Sequence, residues 1–570
     1  MDTVMIEKFS GTNYKAFERF DLEFRALTIL LGSNSTGKSA IVNSLLMLSQ
    51  SANPAVQAES ALRLNGAKTG MGEALNIVTD KNPDNELSFE FSLSGSSNLK
   101  DNFEVFRRSS TESYLYLLNH IATLLKDENP SRTVEKSIAF LTNHSPHRGR
   151  SNTVDYALLT KTATALLKHY RSTADGDDLG NIFGGDVGTF VSKTSITKIA
   201  DCLNIVLAQQ PESIAPVCFT YKFKYDLKEK NLQIVDYIQR NAKEEKILQI
   251  SVSKDRKISI SSEVYDNKAL QRSRNDIQKK INFTSLKVVD DAVTPSYEAY
   301  IFAFLKNSEN PFAGLILSTI SIASKYLLSE ISPQQINHVS PLRAFPQRYY
   351  LLDKTIHHKQ LNALEGTELA EVLKNNPKIR SNINRLFAKF SIAIDIEKVN
   401  DIIHKIVVTQ DSVRLELTDV GFGISQVLPI LVQAHLSPRN SLTIIEQPEI
   451  HLHPNMQAWL ADALIDIALK QNKKFLIETH SDALIRRLRL RILDSQSELT
   501  QDEVKIYHLH RTNQKNRSIL EEIHVTENGD VKWPLDFMDA EINDTLEIQR
   551  LKSAKLTSDR QQALSGATHG

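Results

Sequence analysis

The sequence predicts an α/β fold, and three stretches predict it. Ala26–Leu31 is a short apolar run that reads as a buried strand. It leads into Gly32-Ser33-Asn34-Ser35-Thr36-Gly37-Lys38-Ser39, which fills every fixed position of the pattern G-x-x-x-x-G-K-[ST], and then into an apolar helical stretch from Ser39 to Leu48. Far downstream, Ser441–Glu449 reads as a second buried strand that delivers an acid, Glu446, at its C-terminal end. Lys474–Ser481 reads as a third, ending in His480.

The first stretch carries chemistry. A strand, a glycine loop and a helix start aim backbone N–H groups at one place and favour a polyphosphate there. Ser33, Asn34, Ser35, Thr36 and Ala40 supply N–H groups around Gly32 and Gly37. Lys38 is placed to neutralise β- and γ-phosphate oxygens, and the Ser39 hydroxyl to ligate Mg²⁺. Gly37 lets the backbone approach closely. The bland alternative is a glycine-serine turn before a core helix, and the flanking elements weigh against it.

Composition sets bounds. The chain has 570 residues, is 41% hydrophobic and 24% charged, and has a formal net charge of zero, so bulk electrostatics predict no polyanion partner. That length suits two or more lobes. Cys202 and Cys218 are the only cysteines, which excludes a disulfide framework and suits a reducing cytoplasm. The N-terminus shows no apolar signal core, and Phe312–Leu328, broken by Ser, Thr and Lys325, reads as a buried helix and not a membrane span. The expected location is cytoplasmic, with no membrane partner.

In chain order, Val4–Phe9 and Phe20–Phe24 read as antiparallel strands before the loop strand. Phe9, Tyr14 and Phe17 are core residues or, less simply, a stacking face for adenine. Glu86–Leu93 alternates strictly and is a strand. Residues 100–215 are mostly helical, with apolar spacing in Tyr114–Leu125 and Tyr156–Tyr170, and Asp175–Gly188 reads as an exposed loop. Phe219–Tyr225, Leu232–Tyr237, Ile247–Val252 and Lys257–Ser261 form a meander of short strands. Tyr297–Ile331 and residues 368–393 return to helix, and Ile406–Gln410 with Val413–Leu417 forms a hairpin. Ser340–Tyr349, with two prolines and two arginines, reads as a rigid loop whose arginines pair with carboxylates or reach phosphate or a partner subunit. No sustained heptad occurs, so no long coiled coil is expected.

The second half of the site follows. Asp419–Gln426 is a glycine-punctuated loop leading into an apolar helix, Val427–Leu436. Glu446 is the candidate for the Mg²⁺ hydration shell. Gln447 stands where a water-polarising residue is expected; it cannot act as a base but can orient water, and Glu449 is the nearby alternative base. His451 and His453 suit a turn against a second subunit better than a metal site. His480 is placed to hydrogen-bond a γ-phosphate.

The order of these motifs resembles the ATP-binding-cassette heads of chromosome-maintenance, double-strand-break-repair and overcoming-lysogenisation-defect-like ATPases. It is most similar to a compact bacterial AAA-family group with a C-terminal domain of unknown function. SPLRAFPQRYY (340–350), DVGFGISQVLPIL (419–431), EQPEIHLHP (446–454), FLIETHS (475–481) and Val531-Lys532-Trp533-Pro534 carry the likeness. The resemblance implies an ABC-type P-loop ATPase head with N-terminal antiparallel strands and a large mixed helical and β insertion. It implies ATP and Mg²⁺ as cofactors, Lys38 and Ser39 in Walker A, Glu446 in Walker B, and His480 as switch histidine. Gly421, Gly423 and Ser425 would lie in the signature loop that caps the ATP of an opposite protomer. It divides the chain into 1–95 and 336–545 as the two parts of the head, 96–335 as the insertion and 546–570 as a flexible tail.

Similar proteins occur in anti-phage defence, where retron-associated and Septu-type ATPases pair with a separate nuclease. The implied protein is a homodimer or higher homo-oligomer that senses and scaffolds an HNH-type nuclease, with nucleic acid or a retron reverse transcriptase complex as further partners. Because Gln447 replaces the usual second acid, a rival reading is a scaffold that binds ATP and hydrolyses it poorly. A DNA-repair ATPase is another; Arg486–Arg491 and His147–Arg150 are the basic runs it would use, unless they are solvated faces or carboxylate partners. A self-contained nuclease needs a further metal-binding domain, for which the stretch after His480 is short.

Overall fold

The first three strands, β1 (Met5–Tyr14), β2 (Phe17–Glu23) and β3 (Leu27–Gly32), already belong to two different sheets. The computed structural model describes residues 5–52, 60–94, 97–125, 131–143, 154–173, 185–253, 257–289, 310–351, 361, 368–512, 517–533, 547–553 and 555. Helix α1 (Lys38–Ser51) follows the loop, and β4 (Leu87–Ser94) returns to β1. A helical layer comes next: α2 (Ser97–Leu124), α3 (Arg132–Asn143), α4 (Tyr156–Thr173), α5 (Gly185–Lys193) and α6 (Ile196–Asp201). Of the loop expected over 175–188, residues 185–188 open α5 and the rest lie outside the described residues.

The expected meander is β5 (Cys218–Asp226), β6 (Asn231–Arg240), β7 (Lys246–Val252) and β8 (Ile258–Ser261). It is not a separate sheet. β5 pairs with β4, giving seven strands in the order β2-β1-β4-β5-β6-β7-β8, so the boundary placed at 95/96 falls between two neighbours of one sheet. One face is aromatic: Phe9 stacks on Phe91 at 5.0 Å and on Phe89 at 5.8 Å, and Phe17 meets Phe20 edge-on at 5.5 Å. Phe9, Tyr14 and Phe17 are fully buried, so all three are core residues and none is a free stacking face. Each such side chain contributes ~1.5–3 kcal/mol by leaving water.

Helix α7 (Asn267–Gln278) and helix α8 (Pro311–Glu330) pack on this same face, where the Tyr237 hydroxyl meets Ser324 Oγ at 3.0 Å. Asn310 caps α8 by accepting from the Ala313 N–H at 3.2 Å, with Pro311 at its first position. Among the described residues α8 is the one helix long and apolar enough to cross a bilayer, and most of it is buried against the protein. Residues 297–309 of the helix expected there lie outside the described residues.

The second sheet has the order β17-β16-β3-β15-β14-β9, built from β9 (Ile336–Val339), β14 (Leu442–Glu446), β15 (Lys474–Glu478), β16 (Val504–Arg511) and β17 (Ser518–Ile523). All its pairings are parallel except β16 with β17. Alternate residues serve opposite cores: Leu30, Ile444 and Leu476 face one, and Ile29, Ile445 and Ile477 the other. A parallel sheet covered on both faces explains why these strands are continuously apolar.

Three strands, β10 (Tyr350–Leu351), β11 (Ile392–Lys398) and β12 (Ile403–Gln410), with β13 (Val413–Glu416) paired to β12, form a small third sheet. The helix expected over 368–393 is two, α9 (Glu368–Asn375) and α10 (Pro377–Phe387), and ends before β11. Pro377 has no N–H to continue α9 and starts α10 instead. Helices α11 (Phe422–Leu436), α12 (Pro454–Gln471) and α13 (Asp482–Leu493) complete the layer over the parallel sheet. Residues 547–553, expected in a flexible tail, are helical, and no long coiled coil occurs among the described residues.

Candidate nucleotide site

β3 runs into the loop through Gly32 at φ +145°, where a Cβ would meet the Leu509 carbonyl of β16 at 2.3 Å. The loop ends at Gly37, φ +109°, where a Cβ would strike the Phe17 ring at 2.7 Å. Only glycine fits either place. Thr36 Oγ1 donates to the Ser33 carbonyl at 2.8 Å, and Arg511 Nε donates to the Ser35 carbonyl at 2.9 Å. Ser33, Asn34 and Ser35 are exposed. Helix α1 starts with no side-chain cap and no acid in its first turn, so its N-terminal N–H groups and positive dipole end are unopposed.

Lys38 is buried, with Nζ donating to the carbonyls of Gly32 at 2.9 Å and Ser33 at 3.0 Å. Burial pulls its pKa down, while the charges of Glu478 and Glu449 oppose that. Among the described residues it makes no ion pair. A buried ammonium beside an uncapped helix start fits a polyphosphate, and the adjoining Ser39 hydroxyl fits a divalent cation that keeps most of its water.

The ends of β14 and β15 complete the surroundings. Glu446 and Glu478 are direct partners across the two strands. Glu446 Oε1 lies 2.7 Å from His338 Nε2, on the side of β9. Glu478 is buried, and Ser39 Oγ lies 3.4 Å and 3.3 Å from its two carboxylate oxygens. Burial first, then the nearby Glu446 charge, push the Glu478 carboxyl up to about 7, and Lys38 works against this.

Gln447 takes a left-handed φ of 44° and its N–H donates to the Glu478 carbonyl at 2.7 Å, turning the chain sharply after β14. Arg343 Nη2 clamps that turn, donating to the carbonyls of Glu446 at 3.0 Å and Gln447 at 3.1 Å. Arg343 is buried and its pKa is pushed down to about 10 by desolvation, with Glu449 opposing. Glu449 accepts from Thr479 Oγ1 and from the His480 N–H, both at 2.7 Å. His480 itself is exposed; partial burial and the Lys38 charge hold its imidazole below the usual value, hence neutral near pH 7.

The fold therefore gathers Lys38, Ser39, Glu446, Gln447, Glu449 and His480 from the two ends of the chain. At the other loop, Gly421 is exposed and an added Cβ there would meet nothing within 4 Å. Gly423 lies against Leu452 and the His451 carbonyl. Ser425 is buried and shares a cavity of about 30 Å³ with Arg343, so Gly421 and not Ser425 is the exposed residue at this helix start.

Other expectations resolve plainly. Arg348 pairs with Glu416 at 3.3 Å and Asp419 at 3.2 Å, as the carboxylate reading had it, whereas Arg343 takes backbone carbonyls. Arg487 and Arg491 both grip Asp462, Arg489 donates to the Gly529 carbonyl and Arg486 pairs with Asp482, so all four arginines of the basic run have partners, as the carboxylate reading allowed; residues 147–150 lie outside the described residues. His453 Nδ1 caps α12 by accepting the Asn455 N–H at 3.3 Å, and among the described residues no cluster of three or more His, Cys, Asp or Glu is set to hold a metal. Glu478, His338 and Arg343 are the residues that sequence reasoning did not single out for this site. An acid closing an apolar strand was the available signal for Glu478.

These elements define a class of protein: an α/β P-loop ATPase head with an antiparallel sheet formed by its N-terminal strands and the middle of the chain. The AAA ATPase domain family matches residues 5–485, and the chain belongs to that family. ATP, ordinarily with Mg²⁺, is what such a family works on. No curated protein matches the chain. Among solved structures it is similar to the SMC head domain from Thermotoga maritima, at 7% identity and TM-score 0.31 over 91% of this chain and 100% of that one. It is also similar to an Smc head domain with an extended coiled coil, bound to the C-terminal domain of ScpA, from Pyrococcus furiosus, at 10% identity and TM-score 0.32 over 96% and 100%. A third is an Smc head domain with a coiled coil and joint from Pyrococcus yayanosii, at 11% identity and TM-score 0.29 over 91% and 97%.

Proposed function

We propose that the chain binds Mg²⁺ and ATP between the phosphate loop and the ends of β14 and β15, and that two heads close on ATP as a homodimer or higher homo-oligomer. The observation that carries this reading is the buried Lys38, which makes no ion pair among the described residues and lies within the field of Glu478 and Glu449 at the start of α1. In this reading the N–H groups of residues 33–40 cradle the phosphates, Lys38 neutralises their charge, and Ser39 and Glu446 serve the metal. When bound, Mg²⁺ supplies charge neutralisation at the phosphate oxygens. His480, neutral and exposed, donates its ring N–H to an oxygen of the terminal phosphate. Gln447 orients water, and Glu449 takes up its proton. Gly421 and Gly423 at the start of α11 present a helix N-terminus to the ATP of the second head.

Turnover is slow in this reading, because Gln447 has no proton-accepting carboxylate and Glu449, which takes its place, already accepts from Thr479 Oγ1 and the His480 N–H. The motif order from 340 to 534 supports a wider role: a cytoplasmic scaffold and sensor in anti-phage defence, controlling a separate nuclease. Light scattering with ATP, ADP and no nucleotide tests the core of this. A larger particle with ATP alone is expected; an unchanged mass with all three would overturn the dimer. Phage challenge of cells carrying the chain and its neighbouring genes tests the wider role: protection lost in Lys38→Ala is expected, and equal protection would remove it.

A further inference from the structure

The pairing around β14 stops unevenly. On one side β15 keeps pace to the last residue, with Glu446 opposite Glu478. On the other side β9 pairs only as far as Val339 with Ile445. The chain then leaves the sheet through Ser340 and Pro341, and Pro341 has no N–H with which to extend the ladder. Arg343 takes over at that edge. Its Nη2 donates to the carbonyls of Glu446 at 3.0 Å and Gln447 at 3.1 Å, the two positions that β9 leaves uncovered.

Gln447 needs that hold. Its φ of 44° is a left-handed conformation that side chains seldom adopt, and Pro448 after it favours extended backbone at this position. Such a conformation persists only where the surroundings fix it. One anchor is the Gln447 N–H, which donates to the Glu478 carbonyl at 2.7 Å, and the other is Arg343. Arg343 is 7% exposed, and among the described residues its Nε and Nη1 have no hydrogen-bond partner. A guanidinium is costly to bury on so few partners, and packing alone would favour an apolar side chain there.

We propose that Arg343 is a positioning residue for ATP hydrolysis: by fixing the backbone of Gln447 beyond the end of β14, it fixes where the Gln447 amide holds the attacking water. The proposal rests on the reading above in which Gln447 orients that water. Glu446 depends on Arg343 less, because its pairing with β15 and its contact with His338 hold it independently.

The test is a double-mutant cycle on the full chain with Arg343→Met and Gln447→Ala, read as steady-state phosphate release over a range of ATP and Mg²⁺ concentrations. Arg343→Met is expected to lower kcat about tenfold, with KM for ATP and the Mg²⁺ requirement within about twofold of wild type, and Arg343→Lys to recover part of the loss. In the Gln447→Ala background the same Arg343→Met change is expected to cost less than about twofold, since the side chain that it positions is gone. An equal loss in both backgrounds would show that Arg343 acts elsewhere and overturn the proposal. A rise in KM or in the Mg²⁺ requirement with kcat unchanged overturns it as well. Should Arg343→Met not fold, Arg343→Lys carries the same cycle: a loss that disappears in the Gln447→Ala background supports the proposal, and equal losses or no loss overturn it. Wild type that binds a fluorescent ATP analogue but releases no phosphate overturns the proposal and leaves the nucleotide site standing. Wild type that binds no analogue overturns both.

Discussion

The two large sheets are built on opposite principles. The seven-stranded antiparallel sheet places aromatic rings on one face, and in Phe9, Phe20, Phe89 and Phe91 its contribution is packing. The six-stranded sheet is parallel at its centre, mostly apolar on both faces, and places the residues of the nucleotide site where strands end: Gly32, Glu446 and Glu478. The difference teaches that chemistry in this chain follows strand ends, because only there does a fully buried strand meet a helix start and solvent. The two regions touch at Phe17, whose ring lies against Gly37, and at Tyr14, whose hydroxyl donates to the Ala40 carbonyl at 3.0 Å.

Substitutions can break that division of labour. The largest effect on stability is expected from Phe89→Ala, which empties the centre of the aromatic face and costs ~3–5 kcal/mol. Denaturant unfolding reads the loss, and at temperatures where the variant stays folded its ATP affinity is expected to match wild type. A parallel loss of affinity would show the sheets to be coupled. Gly37→Ala attacks the point of contact. Its positive φ and the Phe17 ring leave no room, so ATP affinity is expected to fall about a hundredfold, or ~2.7 kcal/mol, in a binding titration.

Smaller effects sharpen the comparison. Gln447→Glu places an acid at the end of β14, and steady-state phosphate release is expected to rise about tenfold, ~1.4 kcal/mol in barrier. A drop would make Gln447 an essential water-positioner. Smallest is Glu330, at the end of α8, remote in sequence from every strand end named above. Burial pushes its carboxyl from 4.5 up to about 7. The folded state then holds a proton that the unfolded state has lost, so its contribution is full below pH 4.5 and disappears as pH rises through about 7. Thermal unfolding across that range is expected to show a flatter pH slope for Glu330→Gln than for wild type, with no change in nucleotide binding.

Much of this was legible in the sequence, for physical reasons that also mark the limit. Gly32–Ser39, the strand before it and the apolar strands ending in Glu446 and His480 declare themselves because local pattern and local structure coincide. The aromatic meander showed as alternation, but its pairing to β4 did not, because β4 and β5 are far apart in sequence. The same holds for Glu478. Its run, FLIETHS, was visible, whereas the strand order that sets it beside Ser39 and moves Glu446 one strand away is a tertiary fact. Arg343 likewise showed as a charge in a proline-rich loop, and only the fold reveals that it holds the Gln447 turn.

The central claim is that the phosphate loop and the ends of β14 and β15 form one nucleotide site. Isothermal titration of Mg²⁺ and ATP into wild type and Lys38→Ala tests it most directly. Wild type is expected to bind, and Lys38→Ala to show no measurable binding while its thermal unfolding remains cooperative. Equal affinity in the two proteins would contradict the account.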